Sequence, residues 1–168
     1  MTHRPARPGD RPSGDIFATR SPAVGRHGMI ATSQSLASAA GLAVLQQGGN
    51  AIDAAVTAAG VLAVVEPSMN GIGGDLFALV YDTVTRRVYG LDASGRSARA
   101  ATPEAFARRG LQAMPSDGVL TVNVPGVVSG WDALLARFGT LSMASALAPA
   151  IRYAHEGFPV AELMANEW

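Results

Sequence analysis

The sequence predicts an α+β fold in which alanine-rich helices pack on a few antiparallel strands. Two uncharged, alanine-rich stretches, residues 35–47 and 54–65, have the length and composition of helices. A short apolar segment at residues 77–81 is followed by a turn and a second β-prone segment, which is typical of a hairpin. Aromatic residues make up only 6% of the chain against 48% hydrophobic residues, which favours closely packed helices over a bulky aromatic core.

The two helices have clear start and stop signals. Gly48 and Gly49 are expected to end the first helix with a left-handed cap. Asn50 can cap the second helix, and Asp53 then lies in its first turn, where the helix dipole favours a negative charge. Residues 54–65 are apolar on every face except at Thr57, so we expect this helix to be buried on all sides.

A glycine-rich loop at residues 71–74 separates these helices from the hairpin. It follows a helix and precedes a strand, whereas a dinucleotide-binding loop follows a strand and opens a helix. The loop therefore favours tight turning and close backbone packing. Residues 76–82 form the predicted strand and residues 87–91 the returning strand. The first strand is apolar throughout, so we expect it to be covered on both faces.

The second half of the chain predicts further helices. Thr102, Pro103 and Glu104 form a helix start, and this short helix is expected to run to Arg109. In residues 127–138 the apolar positions fall on one face, which makes Trp131 a core residue rather than a ligand-stacking one. Three other segments are expected: a β-prone segment at 119–124, a helix at 142–156, and the start of another helix at 161–168.

Composition excludes several classes of protein. The formal net charge is zero and only 15% of residues are charged, so the basic patch of a nucleic-acid-binding protein is absent. There is no cysteine, and the three histidines show no metal-ligand spacing, so neither disulfides nor a metal site is expected. The longest apolar run is shorter than the roughly 20 residues that span a bilayer. With no secretory signal, we expect a cytoplasmic protein with no membrane partner.

The first nineteen residues are rich in proline, arginine and glycine, and we expect a disordered tail there, followed by one domain over residues 20–168. A second interpretation concerns Thr2. Removal of Met1 would expose it as an N-terminal nucleophile that uses its own α-amine as base. The residues around it do not form the buried strand that such a nucleophile must begin, so we favour the tail.

Residues 20–82 resemble the N-terminal region of the γ-glutamyltranspeptidase family, which belongs to the N-terminal-nucleophile (Ntn) hydrolases. The resemblance lies in GMIATS at 28–33, GGNAIDAAV at 48–56, EPS at 66–68 and GIGGD at 71–75, and it continues more weakly through Val124–Pro125–Gly126. Family members carry a longer glycine run, and Asp75 and Leu76 interrupt it here. The resemblance implies a partial four-layer αββα Ntn fold.

The resemblance also implies one substrate-binding residue. In the transpeptidases a segment of the pattern Asp-x-Arg-Glu-x-Ala-Pro holds the substrate's α-carboxylate through its arginine. Arg96 is the nearest equivalent, and a guanidinium suits the task through two parallel hydrogen bonds. The spacing is shifted, the glutamate is missing, and Arg99 stands where the proline is expected. A loop arginine that faces solvent or pairs with a local carboxylate is the alternative.

No catalytic residue, metal or cofactor is expected within this chain. In the resembled family an internal threonine, an acidic substrate-binding group and an oxyanion-hole glycine pair lie in a later part, which has no counterpart here. The resemblance thus implies a fragment of a γ-glutamyltransferase-like enzyme, which transfers or hydrolyses γ-glutamyl groups such as that of glutathione. Its partners would be that small substrate and the missing C-terminal half or small subunit. Two alternatives stay open: an acylase-type Ntn amidohydrolase, and a non-catalytic remnant or interaction module.

Overall fold

The computed structural model describes residues 22–167, so the predictions for residues 1–19, including Thr2, lie outside it. The first two helices are α1 (Ser35–Gln46) and α2 (Ala51–Val65). Gly48 adopts a φ of 93°, and the Gly49 N–H donates to the Val44 carbonyl at 3.0 Å. The predicted left-handed glycine stop after α1 is therefore confirmed.

The start of α2 is a reciprocal cap. The Asn50 side-chain oxygen accepts hydrogen bonds from the N–H groups of Ile52 and Asp53 at 2.8 and 3.1 Å. In return, the Asp53 carboxylate accepts from the Asn50 N–H at 2.9 Å. This capping box satisfies the free N–H groups of the first turn and confirms the predicted roles of both residues.

Helix α2 is the central element of the helical part and packs against α1 and two later helices. Two glycines allow this close packing. A Cβ added at Gly41 of α1 would lie 3.0 Å from the Ala54 carbonyl oxygen, and one added at Gly60 would lie 2.6 Å from the end of Leu147. Burial on all sides is wrong at one position of residues 54–65, because Ala55 stays exposed beside a cavity of about 360 Å³.

The sheet is a two-stranded antiparallel hairpin of β1 (Leu76–Asp82) and β2 (Arg87–Ala93). Leu76 pairs with Ala93 at one end and Asp82 with Arg87 at the other, so β2 is two residues longer than predicted. Alternate side chains of the hairpin join the hydrophobic core on its inner face: Leu76, Ala78, Val80 and Leu91. The opposite face of β1 is exposed. Within residues 22–167 the hairpin is therefore covered on its inner face and open on its outer face, and cover on both faces stays a prediction.

The later helices are α3 (Pro103–Ala107), α4 (Val127–Phe138), α5 (Met143–Glu156) and α6 (Glu162–Glu167). The bounds of α4 agree with the prediction, and Trp131 is 3% exposed in the core as expected. Helix α3 starts as predicted, with Thr102 Oγ1 accepting from the Ala105 N–H, but it ends before Arg109. A turn at residues 108–110 follows, with Gly110 at a φ of 77°.

The β-prone segment at residues 119–124 does not form a strand, so that prediction is wrong. Val119–Thr121 is a single 3₁₀ turn, and extended backbone without a ladder partner follows it in the described chain. Pro125 has no N–H to donate to a neighbouring strand. The backbone of this segment instead lies against the loop after β2, where a Cβ added to Gly95 would overlap the Val124 carbonyl oxygen.

Two clusters of buried side chains share α2 as their common wall. One joins Val56 to residues of α4 and α5, and the other joins Val61 and Val65 to α1 and α5. Helices around a two-stranded antiparallel sheet confirm the predicted α+β class. Along residues 22–167, no helix has both the length and the apolar character needed to cross a bilayer.

Candidate functional site

Three segments meet at the end of the hairpin opposite its turn. Because Leu76 of β1 pairs with Ala93 of β2, the glycine loop at 71–75 enters and the loop at 94–96 leaves at the same end. The third segment, residues 123–126, precedes α4. The Gly74 carbonyl accepts hydrogen bonds from the N–H groups of Gly126 and Val127 at 3.0 and 3.1 Å. The glycine loop is thereby fixed to the start of α4.

The backbones at this junction touch directly, which requires glycine at two positions. A Cβ at Gly95 would lie 1.7 Å from the Val124 carbonyl oxygen, and Gly95 also has a φ of 73°. A Cβ at Gly126 would lie 2.0 Å from the Ala93 carbonyl oxygen. No side-chain rearrangement relieves a contact with backbone, so any larger residue would separate the three segments.

Three polar residues belong to the segments that meet at this junction: Asp75, Arg96 and Asn123. The Asn123 side-chain N–H donates to the Asp75 carboxylate at 3.4 Å. Arg96 is exposed in the loop after β2, and within residues 22–167 no hydrogen bond or ion pair holds its guanidinium. Hydrogen bonds from Ser94 lower the pKa of Asp92 below its usual 3.8, so this carboxylate holds the loop turn that leads to Arg96.

Two open cavities flank this junction. One of about 580 Å³ lies between the glycine loop and the first turns of α4, with Asp75 and Trp131 in its wall. The other, of about 520 Å³, is lined by residues near α3 and by Ser97 and Asn123. The hydrogen-bonded pair of Asp75 and Asn123 therefore separates the two cavities. Both volumes lie within the range of small-molecule sites.

Glu66, at the end of α2, holds the glycine loop in place. Its carboxylate is nearly buried and accepts hydrogen bonds from the Ser33 hydroxyl at 2.5 Å and the Asn70 side chain at 2.8 Å. Asn70 directly precedes the glycine loop, and Ser33 lies just before α1. The end of α2, the entry to α1 and the loop are thus joined through one carboxylate, since a buried charge needs such partners.

Asp53 joins the other end of α2 to the connection between α4 and α5. Its side chain is 0% exposed and accepts from the Thr140 hydroxyl at 2.6 Å, the Thr140 N–H at 2.8 Å and the Leu141 N–H at 3.0 Å. Burial raises the pKa of Asp53, but the hydrogen bonds from Thr140, Leu141 and Asn50 outweigh it, so the pKa lies below 3.8. Asp53 is ionised and fully bonded at neutral pH.

Sequence reasoning proposed Arg96 as a candidate and did not relate its loop to Asp75 or Asn123. Asp75 was noted only as a departure from the glycine run, and Asn123 only as part of a strand. The contacts of Glu66 with Ser33 and of Asp53 with Thr140 span 33 and 87 residues, so local patterns do not reveal them. One signal was available: a carboxylate at each end of an otherwise apolar helix has to find partners.

The site provides binding groups for a small polar molecule. An exposed guanidinium without a described partner favours a carboxylate, through two parallel charge-assisted hydrogen bonds. The carboxylate and amide of the Asp75–Asn123 pair can accept from and donate to a polar substrate. The glycine loop follows a helix and precedes a strand in this α+β domain, which is not the order of a nucleotide-binding loop.

The comparisons with known proteins give the family. The family model "Gamma-glutamyltranspeptidase" matches residues 37–168, and the chain belongs to this family. It is 44% identical over 138 residues to the glutathione hydrolase-like YwrD proenzyme of Bacillus subtilis, which covers 82% of this chain and 26% of that protein. It is 40% identical over 161 residues to an acylase ACY 1 proenzyme of a Pseudomonas species, covering 90% of this chain and 29% of that protein.

Solved structures agree with this assignment. The γ-glutamyltranspeptidase of Helicobacter pylori superposes with a TM-score of 0.78 at 34% identity, over 86% of this chain and 42% of that one. A cephalosporin acylase from Bacillus halodurans superposes with a TM-score of 0.76 at 43% identity, over 92% of this chain and 30% of that one. The partial Ntn-hydrolase fold is therefore confirmed, and this chain spans only part of the length of these relatives.

Proposed function

We propose that this chain supplies the substrate-binding arginine of an enzyme that transfers or hydrolyses γ-glutamyl groups, with glutathione as a representative substrate. Membership of the family supports the reaction class, and the exposed Arg96, which has no hydrogen-bond or ion-pair partner among residues 22–167, supports the binding role. Its guanidinium would hold the α-carboxylate of the γ-glutamyl group. Burial of the substrate and a bidentate contact would make that interaction specific.

The nucleophile and the remaining binding groups would come from additional polypeptide like that of the longer relatives. This chain spans 26% of the YwrD proenzyme and 25% of a Bacillus subtilis glutathione hydrolase proenzyme. The rest of such a protein is thus the proposed partner, in the same polypeptide or as a separate subunit. A junction with open cavities on both sides is suited to receive it.

The second candidate is an acylase that cleaves another side-chain amide. The 43% identity to the cephalosporin acylase of Bacillus halodurans is close to the 44% identity to the glutathione hydrolase-like YwrD proenzyme, so the acylase class is as similar to this chain as the hydrolase class. The segment around Arg96 also departs from the transpeptidase pattern, which favours a different acyl group. A chain without catalysis, acting only as an interaction module, is the third candidate.

The test uses a hybrid in which this chain replaces the matched stretch of the YwrD proenzyme. Arg96→Lys should lower kcat/KM for a γ-glutamyl anilide about 30-fold, because the loss of a bidentate contact to a charged group costs about 2 kcal/mol. A γ-aminobutyryl anilide, which lacks the α-carboxylate, should lose little. Arg99→Lys, three residues along the same exposed loop, is the matched control and should leave both substrates unchanged.

The outcomes separate the candidates. Equal losses on both anilides would show that Arg96 acts on the structure and not on the carboxylate. A hybrid that hydrolyses a glutaryl amide but no γ-glutamyl substrate would establish the acylase instead. A correctly folded hybrid without either activity would leave the interaction module as the remaining candidate function of this chain.

A further inference from the structure

A cluster of two arginines and two aromatic rings lies between the end of α4 and the turn end of the hairpin, away from the glycine junction. The guanidinium carbon of Arg137 lies 4.4 Å from the ring centroid of Tyr89 and 4.9 Å from that of Phe138. The guanidinium carbon of Arg87 lies 5.9 Å from the Tyr89 centroid. Cation–π attraction therefore favours two positive charges beside one tyrosine ring.

Neither guanidinium makes an ion pair or a hydrogen bond with any group in residues 22–167. Asp82 pairs with Arg87 across the hairpin, but its carboxylate accepts from the Val84 N–H at 2.9 Å and the Thr85 hydroxyl at 2.7 Å. The two arginines are exposed and repel each other, since they carry the same charge. An anion that contacted both would remove this repulsion.

The end of α4 does not use the guanidinium of Arg137. Basic side chains in a last helical turn often bind the free carbonyl groups there. In this helix the Phe138 carbonyl accepts from the Asn50 side chain at 2.6 Å, and the Leu135 carbonyl accepts from the Gly139 N–H at 2.9 Å. Because a guanidinium can stack on a ring and still present its planar fork of N–H groups, the donors of Arg137 stay available to a ligand.

A cavity of about 100 Å³ opens beside this cluster, between β2 and α4. Arg137, Tyr89 and Phe138 line it, together with apolar residues of both elements. Sites that enclose a whole small molecule are usually several times larger. This cavity is therefore suited to one compact group, with the rest of a ligand outside it.

We propose that Arg87 and Arg137 form a binding site for a phosphate group, either as inorganic phosphate or diphosphate or as part of a small organic phosphate. One arginine fork satisfies both oxygens of a carboxylate, whereas the additional oxygens of a phosphate can accept from a second fork. The formal net charge of zero disfavours a nucleic acid as the source of the phosphate. The site is independent of the function proposed above, because it lies at the opposite end of the hairpin from the loop of Arg96.

The test titrates the 168-residue chain with inorganic diphosphate at constant ionic strength and follows the broadening of the phosphorus NMR resonance. Arg87→Gln and Arg137→Lys should each weaken binding about tenfold, because each removes one of the two guanidinium forks. Arg152→Gln is the matched control. It removes an exposed arginine of α5 and should leave binding unchanged, and circular dichroism checks that all three variants keep the fold.

The same titration with inorganic phosphate and with glycerol phosphate distinguishes the sources of the phosphate group. Tighter binding of glycerol phosphate would support an organic phosphate, and binding of both with equal affinity would support the inorganic ion. The measurement is repeated in the YwrD hybrid, where Arg87→Gln should again weaken binding about tenfold because the site lies on the hairpin and α4 of this chain.

Three results would overturn the proposal. The first is the absence of saturable binding to the unsubstituted chain at constant ionic strength. The second is an equal effect of Arg87→Gln and Arg152→Gln, in the chain or in the hybrid, which would show a general effect of charge. The third is binding to vesicles that contain an anionic phospholipid without binding of any soluble phosphate, which would indicate a membrane surface instead.

Discussion

At the scale of single residues, the most consequential side chain is a carboxylate that does not belong to the candidate site. Asp53 closes the capping box of α2 and accepts three hydrogen bonds from Thr140 and Leu141. It therefore holds α2 to the connection between α4 and α5. Helix α4 in turn carries the start of the glycine junction, through the bonds of Gly126 and Val127 to Gly74.

Asp53→Asn should destabilise the chain by about 3 kcal/mol. An amide cannot accept hydrogen bonds from every one of these donors, so some N–H or hydroxyl groups are left unsatisfied in the core. The matched control is Asp82→Asn. The exposed carboxylate of Asp82 also accepts from two groups, the Val84 N–H and the Thr85 hydroxyl. Its loss should cost much less than that of Asp53, since water replaces the bonds. Urea unfolding at pH 7 measures both, and equal losses would show that Asp53 does not act through its buried bonds.

The same residue predicts a pH dependence. The pKa of Asp53 is lower in the folded chain than the unfolded value of 3.8, so the unfolded state binds a proton first as the pH falls. The stabilisation that ionised Asp53 contributes to the folded state is fully present above pH 3.8, and it is lost as the pH falls through the pKa of Asp53 in the folded chain. Asp53→Asn should therefore lose less stability than the unsubstituted chain between pH 5 and pH 3. If the urea midpoints of both proteins changed by the same amount over this pH range, the prediction would be contradicted.

At the scale of elements, the close packing of α1 on α2 depends on the kind of atom that a glycine faces. At Gly41 an added Cβ would meet the end of the Ile30 side chain, which can move, and would also lie 3.0 Å from the Ala54 carbonyl oxygen, which is fixed in the backbone of α2. At Gly60 it would lie 2.6 Å from the end of the Leu147 side chain, which can change rotamer. The contact with Ala54 is relieved only when the two helices move apart slightly, whereas the contact with Leu147 is relieved when a methyl group moves.

Gly41→Ala should consequently destabilise the chain by about 1 kcal/mol, since overpacking of about 2 kcal/mol exceeds the gain in helix propensity of about 1 kcal/mol. Gly60→Ala is the matched variant and should lie within about 0.5 kcal/mol of the unsubstituted chain, because its contact relaxes. Thermal and urea unfolding of the two proteins side by side give the comparison. If Gly60→Ala proved the more damaging of the two, the α2–α5 contact would be the tighter one.

Elements with local signals were predictable from the sequence, and elements defined by distant contacts were not. The bounds of α4 follow from a single apolar face, and the start of α2 from Asn50 and Asp53. Residues 119–124 have the composition of a strand but form no ladder, because Pro125 cannot donate and Gly95 lies against Val124. Arg96 could be proposed only through a family pattern. The meeting of its loop with the segments that carry Asp75 and Asn123 depends on the hairpin register, which no local pattern fixes.

At the scale of the whole molecule, the described residues divide into a covered part and an uncovered part. Both clusters of buried side chains lie around α2. The hairpin is attached to them by its inner face alone, and its outer face is apolar and open. A two-stranded hairpin also has two edges, which are free to pair with other chains. The predicted need for a partner thus lies in the hairpin rather than in the apolar helix α2.

The isolated 168-residue chain should therefore associate with itself through the hairpin at high concentration. It should bind a dye specific for exposed apolar surface and show no γ-glutamyl turnover, because the family's nucleophile region has no counterpart in this sequence. Size-exclusion chromatography over a hundredfold range of concentration, with dye fluorescence, measures the association.

Leu79→Lys should reduce both the association and the dye binding, because a charge on the open face opposes stacking and edge pairing. Val84→Lys places the same charge in the exposed turn and should leave both largely unchanged. A monomer at all concentrations with a sharp thermal transition and no dye binding would show that the hairpin is stable without cover, and turnover abolished by Thr2→Ala would place the nucleophile in the tail.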